Sequence, residues 1–449
     1  MVDRGDGAAP AAHERLHRVS RSDRSLLLRS VVTVGSRGLA KAAQLVFLVV
    51  AARLLNVEEF ATYSYILVLV VVFTVVSDTG LPLVSSRDVA AGRGRPEELY
   101  WTTLPVVAVS AVIAAVALVA VAAVGSGPGA SGASVALAAL FVVGNRFFDL
   151  GATMLRGVGR LNLDAALEAG GAVLFIAGAT LAMATGHGVI TVLAVLCAKE
   201  WLFAGLSYLA LRADIGPPRR AEPERWRRLL RIGIRLSLAS TALALVMRIP
   251  LLILGNTGNA HDIAWFSAAQ RFGDATLLLA TSAGFGLLPG IAYLGSGDPQ
   301  RARRLVWRVL AGLGAACAAL AAVSVPFASD LMRLIFGASF EGGGDALAVL
   351  LAGLPAYAVV GVAWYALIAF DGEASTLNIS LGGLAVAAAV GALAVPGGGA
   401  VAASWTYVSA LTAMAVLSLV VLNRRLAPGR AWSSGSSRRV PAAESRLGP

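Results

Sequence analysis

The chain has 449 residues, of which 57% are hydrophobic and only 14% are charged, and its mean hydropathy is +0.76. These values exclude a soluble globular protein, because such proteins carry far more charge and less apolar sequence. The formal net charge is +11. Most of that charge lies in the connections on one side of the predicted membrane, so it indicates topology and does not point to a nucleic-acid partner.

A window of about 19 residues predicts about twelve transmembrane helices. They cover 30–53, 60–86, 101–124, 133–155, 165–185, 188–211, 232–254, 263–293, 309–327, 345–370, 376–396 and 399–422. Most of the 37 Lys and Arg residues lie in alternate connections and in the tails, at 1–29, 87–98, 156–164, 212–231, 295–308 and 423–449. Because cytoplasmic loops collect basic residues, both termini are predicted to be cytoplasmic, in a multi-pass protein of the cell membrane.

An internal repeat predicts two pseudo-symmetric lobes of six helices each. The sequence FATYS at 60–64 is echoed by IAWFS at 263–267, which lies 203 positions later. Since each half holds an even number of spans, a two-fold axis along the membrane normal should relate them, with the substrate between the lobes. The predicted parts are a basic cytoplasmic tail 1–29, an N-lobe 30–211, a basic cytoplasmic linker 212–231, a C-lobe 232–422 and a disordered cytoplasmic tail 423–449.

Several charged residues fall inside the predicted spans, where a charge costs about 3 kcal/mol or more and usually faces a partner or a wet cavity. The cations are Arg37, Lys41, Arg146, Lys199, Arg235, Arg248 and Arg271. Arg146 precedes Asp149 by one helical turn and Arg271 precedes Asp274 in the same way, so each can form an ion pair within its own helix. Lys199 adjoins Glu200, and Arg235 is close enough to the cytoplasmic face to reach it. Arg37, Lys41 and Arg248 have no local acidic partner and leave the interior positive, which indicates an anionic cargo such as a phosphate or pyrophosphate.

Two acids have open roles. Asp78 lies in a polar patch with Thr74 and Ser77 late in the second span. It can bind a coupling proton or Na⁺, or it can neutralise a neighbouring arginine, and the structural pairing is favoured. Asp274 carries the same two alternatives.

Enzymatic chemistry is not expected from this sequence. The four histidines lie in a tail or in loops, and Cys197 and Cys317 fall inside spans without metal-ligand spacing. No P-loop and no nucleophile motif occurs, and the extracytoplasmic loops are short. We therefore predict no catalytic residues, no metal and no cofactor.

The run AARLLNVEEFATYS at 51–64 resembles a signature of polysaccharide flippases in the multidrug/oligosaccharidyl-lipid/polysaccharide (MOP) exporter superfamily. The runs DTGL at 78–81, SRDVA at 86–90 and FSAAQRF at 266–272 are similar to further motifs of that family. The resemblance implies a two-lobed transporter that moves a polyprenyl-pyrophosphate-linked oligosaccharide by alternating access. It also implies that cavity cations hold the phosphates, and the matching positions are Arg37, Lys41, Arg248 and Arg271.

The expected partners are the lipid-linked oligosaccharide, the membrane lipids and, as a candidate, a polysaccharide polymerase. Two alternatives stay open. A cation-coupled multidrug exporter of the same fold would favour an acidic cavity, and a membrane glycosyltransferase or polymer ligase would need catalytic residues on an external loop.

Overall fold

A computed structural model describes residues 46–125, 127, 131–218, 223–297, 299–369 and 373–425. Within these ranges the chain forms α-helices and two short 3-10 helices, and no strand occurs there. Arg37 and Lys41 lie outside the described residues, as does most of the first predicted span. The predicted all-α class is confirmed.

The first half contributes seven helices. They are α1 (46–54, the described part), α2 (Val57–Val76), α3 (Leu81–Ala90), α4 (Pro96–Val124), α5 (Gly132–Gly157), α6 (Leu161–Ala184) and α7 (Val189–Ile215). Local sequence explains where they begin. Pro96 occupies the first turn of α4, where a missing N–H leaves no bond unmade. Helix α5 packs against α4 and α7, and α6 packs against α7.

The second half contributes the other seven helices. They are α8 (Pro223–Thr257), α9 (Ala260–Gly297), α10 (Pro299–Ser324), α11 (Ala328–Phe336), α12 (Gly344–Ala352), α13 (Leu354–Ala369) and α14 (Glu373–Arg425), with 3-10 turns at Val325–Phe327 and Ala338–Gly343. The most extensive packing is between α8 and α14 and between α9 and α13. Helices α7 and α8 both extend into the segment 212–231 that we predicted as a linker.

Eight described segments are long and apolar enough to cross a membrane, and the bent pair α12–α13 makes a ninth. One of the eight, Ala374–Arg425, has 52 residues. At 1.5 Å per residue it would be about 78 Å long, more than twice the hydrocarbon thickness. It is broken at Gly399, where φ is 55° and ψ is −142°, so it forms two spans. With α9 added, the described helices account for eleven of the twelve predicted spans, and α1 covers the described end of the first.

Two predicted spans are interrupted in the structure. The span predicted as 60–86 is two helices, because α2 ends at Val76 and Gly80 adopts φ 66° before α3 begins. The span predicted as 345–370 bends by 45° between α12 and α13. Pro355 lies in the first turn of α13, and it lacks the N–H that would continue the hydrogen bonds of α12.

The two halves begin their second spans in the same way. Asn56 accepts a hydrogen bond from the backbone N–H of Glu59 at 2.8 Å, and Asn259 accepts one from the N–H of Asp262 at 2.8 Å. Both residues are N-caps of the kind that stabilises a helix start, and they lie 203 positions apart. The predicted duplication is therefore visible in the backbone geometry.

The halves meet along α2, which packs against α8 and α9 of the other half. Helix α3 also contacts α8, and the approach is closest where Gly80 lies against Gly233. One large core of buried apolar side chains runs through both halves, and a smaller cluster that includes Leu81, Tyr100 and Leu211 fills the space between α3, α4, α5 and α7. This seam between the halves is where the candidate site lies.

Candidate functional site

A buried hydrogen bond ties α9 to α8 at the level of the predicted cations. The amide Nε2 of Gln270, which is fully buried, donates to the backbone carbonyl of Met247 at 2.7 Å. The next residue on each helix is an arginine, Arg271 on α9 and Arg248 on α8. The bond therefore fixes the two arginines at one depth, and each lies within electrostatic range of the other.

The charge of this pair is only partly neutralised. Arg271 Nη1 lies 3.3 Å from Asp274 Oδ2 on its own helix, so the predicted pairing over one turn is confirmed. Both side chains are mostly buried, at 19% and 23% exposure. Within the described part of the chain, Arg248 has neither an ion pair nor a hydrogen bond. Arg248, Arg271 and Asp274 together thus carry one net positive charge.

Two tyrosines complete the surroundings of Arg271. Tyr63 on α2 belongs to the first half and Tyr407 on α14 to the second, and both are buried within electrostatic range of the guanidinium. The hydroxyl of Tyr407 donates to Met247 Sδ at 2.8 Å, which binds α14 to the same point of α8. Helices α2, α8, α9 and α14 therefore converge on one positively charged position between the halves.

Several buried polar atoms near this seam lack a protein partner. Arg271 Nε, Ser64 Oγ on α2 and Ser267 Oγ on α9 make no hydrogen bond with the described residues. Buried polar groups are nearly always hydrogen-bonded, and exceptions call for an explanation such as a ligand or water. An anion would satisfy a guanidinium N–H and hydroxyl donors together.

A second charged cluster lies within the first half and has the opposite sign. Arg146 on α5 is 6% exposed, and its Nη2 lies 3.1 Å from both Asp78 Oδ1 and Asp149 Oδ2. One guanidinium therefore serves two carboxylates, which leaves one negative charge in excess. Asp78 Oδ1 also accepts the backbone N–H of Gly80 at 3.0 Å, so this carboxylate fixes the break between α2 and α3.

A further buried pair in the first half, between Lys199 and Glu200, is neutral. Lys199 contacts Glu200, its neighbour on α7, and Glu200 is 2% exposed. Glu200 Oε2 accepts a hydrogen bond from Asn145 Nδ2 on α5 at 3.2 Å. The link between α5 and α7 is therefore made by the acid, while the lysine neutralises it.

The structure brings together two of the four predicted substrate cations, Arg248 and Arg271, with Asp274 beside them. It places Asp78 in the separate cluster around Arg146. The side chain of Arg235 is outside the described residues. Sequence reasoning missed Tyr63 and Tyr407. The position of Tyr63 in the repeated FATYS segment was the one available signal, because a repeat marks positions but does not say which side chains meet.

Solved structures with the same fold include transporters described as members of the MOP superfamily. A multidrug resistance MATE-family transporter in an inward-facing conformation is 14% identical with a TM-score of 0.68, covering 86% of this chain and 94% of its own. The lipid II flippase MurJ in an inward closed conformation is 11% identical with a TM-score of 0.68, covering 88% and 89%. A MOP transporter from Pyrococcus furiosus, described as having a binding pocket of reverse polarity, is 15% identical with a TM-score of 0.55, covering 89% and 94%.

No curated protein matches the chain. The family model described as polysaccharide biosynthesis protein matches residues 27–294, which is more than half of the chain. That stretch includes all of the first half and the segment of α8 and α9 that carries both arginines of the site. The chain therefore belongs to the polysaccharide biosynthesis protein family and has the fold of the MOP-superfamily transporters.

Proposed function

We propose that this protein flips a polyprenyl-pyrophosphate-linked oligosaccharide across the cytoplasmic membrane for the synthesis of a cell-surface polysaccharide. The observation that carries the proposal is the excess positive charge of Arg248 beside Arg271 at the seam between the halves. A pyrophosphate would supply the missing counter-charge, and the sugars would pass between the lobes. Both termini face the cytoplasm in this proposal, and a polysaccharide polymerase is a candidate partner on the outer side.

The chemistry of arginine suits this ligand. A guanidinium presents several N–H donors in a plane that matches two phosphate oxygens, and it stays charged even where it is desolvated. Arg271 has an N–H without a protein partner, and Arg248 has no counter-ion among the described residues. Arg37 and Lys41 are proposed to add two further cations from the first span.

The test is transbilayer movement of a labelled polyprenyl-pyrophosphate oligosaccharide in proteoliposomes. A hydrogen bond to a charged group contributes about 1.5–3 kcal/mol, so Arg271→Ala, Arg248→Ala and Lys41→Ala should each slow movement about tenfold or more. Arg333→Ala is the matched control, because Arg333 is 64% exposed on α11 and pairs only with Glu341 of the following 3-10 turn among the described residues. If the intact protein transports the labelled lipid and all three variants transport it at the same rate, the proposed phosphate site is wrong.

The carboxylate-rich cluster around Arg146 favours a second candidate, a cation-coupled multidrug exporter. Asp78 and Asp149 are 36% and 41% exposed and share one guanidinium. If this candidate holds, the proteoliposomes will accumulate a cationic dye when an ion gradient is imposed, and Asp149→Asn will lower that uptake. Dye uptake without transbilayer movement of the lipid-linked oligosaccharides would refute the flippase proposal in favour of the multidrug exporter.

A further inference from the structure

The arginine of the AARLL segment has a partner in the opposite half. Arg53 lies in the last turn of α1, and its guanidinium donates through Nε to the carbonyl of Ile335 at 2.9 Å and through Nη2 to the carbonyl of Leu334. These carbonyls belong to the last turn of α11, where backbone acceptors have no partner within the helix. A cation at that end also meets the negative pole of the helix dipole. One side chain thus joins the first half to the second.

A second contact crosses the seam in the other direction. Asn256 lies near the end of α8, and its Oδ1 accepts a hydrogen bond from the hydroxyl of Tyr65 on α2 at 3.3 Å. Asn256 also lies against Gly125, since a Cβ at that glycine would be only 2.6 Å from its Oδ1. Tyr65 is fully buried, and its ring lies against Gly127 and Gly255, which leave space for it.

The two contacts are related by the internal repeat. Arg53 and Asn256 are 203 positions apart, which is the spacing of the helix caps Asn56 and Asn259. The connecting segments that they touch correspond as well, because α11 and the connection from Gly125 start 203 positions apart, while the individual partner residues differ between the halves. In each half, therefore, the end of the first helix touches the connection between the third and fourth spans of the opposite half.

Aromatic side chains close the space beside these contacts. The ring of Phe60 on α2 meets Phe340 edge-on, with centroids 5.3 Å apart. Phe340 in turn packs on Phe336 of α11 at 5.8 Å, and Phe336 on Phe272 of α9 at 6.2 Å. Phe60, Phe336 and Phe340 are at most 3% exposed. Apolar packing of this kind excludes water from the seam.

We propose that Arg53 and Asn256, with the aromatic group of Phe60, Phe336 and Phe340, form a two-fold gate that closes the outer end of the transport path. The proposal rests on the proposed transport function and on the predicted topology, which places this end of the helices outside the cytoplasm. Opening the path outward separates the halves there, so both polar contacts must break in every cycle. They are gating residues and do not touch the cargo.

The experiment measures access from the outside to a buried position behind the gate. Cys197 and Cys317 are replaced by Ser, and Ser267→Cys is introduced, because Ser267 is fully buried on α9. Intact cells are treated with a membrane-impermeant maleimide, and the labelled fraction is followed over time. Adding Arg53→Ala together with Asn256→Ala should raise the labelling rate at least fivefold.

Arg333→Ala is the matched control, since it removes an arginine from the same helix α11 without touching a cross-half contact. It should leave the labelling rate unchanged. A complementary variant carries Arg53→Cys and Leu334→Cys in the chain that lacks the native cysteines and keeps Ser267. A bifunctional thiol reagent cross-links these two cysteines across the halves. Cross-linking should stop transport of the labelled lipid, and a cleavable reagent should restore it on reduction.

The proposal is overturned if the double alanine variant, eluting as a single folded species, labels at the rate of its parent or of the Arg333→Ala control. It is also overturned if the cross-linked protein transports at the normal rate. Labelling needs no cargo, so a gate that opens in a protein that moves no lipid-linked sugar would refute the proposed function alone. Transport with unaltered labelling would refute the gate alone.

Discussion

Replacing Gly80 with alanine should weaken the contact between the halves at the end opposite the gate. Gly80 has φ 66°, and a Cβ there would lie 2.3 Å from the carbonyl oxygen of Gly233 on α8. The left-handed backbone costs an L-residue about 1–2 kcal/mol, and overpacking a tight contact costs about 1–3 kcal/mol more. Backbone atoms cannot rotate away as a side chain can, so Gly80→Ala should destabilise the protein by about 2–5 kcal/mol.

Gly92 supplies the matched control for this substitution. It has φ 68°, nearly the same backbone conformation, and nothing lies within 4 Å of its added Cβ. Gly92→Ala should therefore destabilise the protein by only about 1–2 kcal/mol, the cost of the left-handed backbone for an L-residue. Unfolding in mixed micelles, followed by tryptophan fluorescence, compares the two variants. Equal destabilisation by both would refute the view that α3 and α8 meet backbone to backbone at Gly80.

Two further sets of substitutions test the cluster around Arg146 and the two helix caps. Arg146→Gln should destabilise the protein by about 1–3 kcal/mol, because the carboxylates of Asp78 and Asp149 lose their shared counter-ion. In the same unfolding assay, adding Asp149→Asn should recover part of that lost stability. No recovery in the double variant would mean that the pairing does not stabilise the fold. Asn56→Ala and Asn259→Ala should each lower the free energy of unfolding by about 1 kcal/mol, because each removes a helix cap. Clearly different unfolding midpoints of the two variants would argue against equivalent roles for the two caps.

The sequence predicted the spans well because apolar length is a local property. The twelve segments, the two-fold repeat and the pairing of Arg271 with Asp274 all follow from hydropathy and helical spacing. The interruptions after α2 and after α12 were missed, although Gly80 and Pro355 mark them. A hydropathy window averages over a single glycine or proline, and whether such a residue breaks a span depends on what packs against it.

The site was predictable only in part, for a related reason. Spacing along a helix shows which residues share a face, and it correctly paired Arg271 with Asp274. It does not show which helix that face meets. That α14 brings Tyr407 to Met247, or that α1 brings Arg53 to the end of α11, depends on tertiary packing between residues 160 and 282 positions apart.

The duplicated halves share their backbone plan but differ in the charge they bury. At the repeat spacing of 203 positions, Arg271 and Asp274 on α9 correspond to Val68 and Val71 on α2. The helix caps recur in both halves, and in each half the end of the first helix touches the opposite half, because these features depend on the closure that the halves share. The pair of Arg271 and Asp274 occurs only in the second half, since a copy in the first half would place a further desolvated ion pair at the same seam. The ion pair of Arg271 and Asp274 is therefore a property of the second half, while the closure above it draws on both.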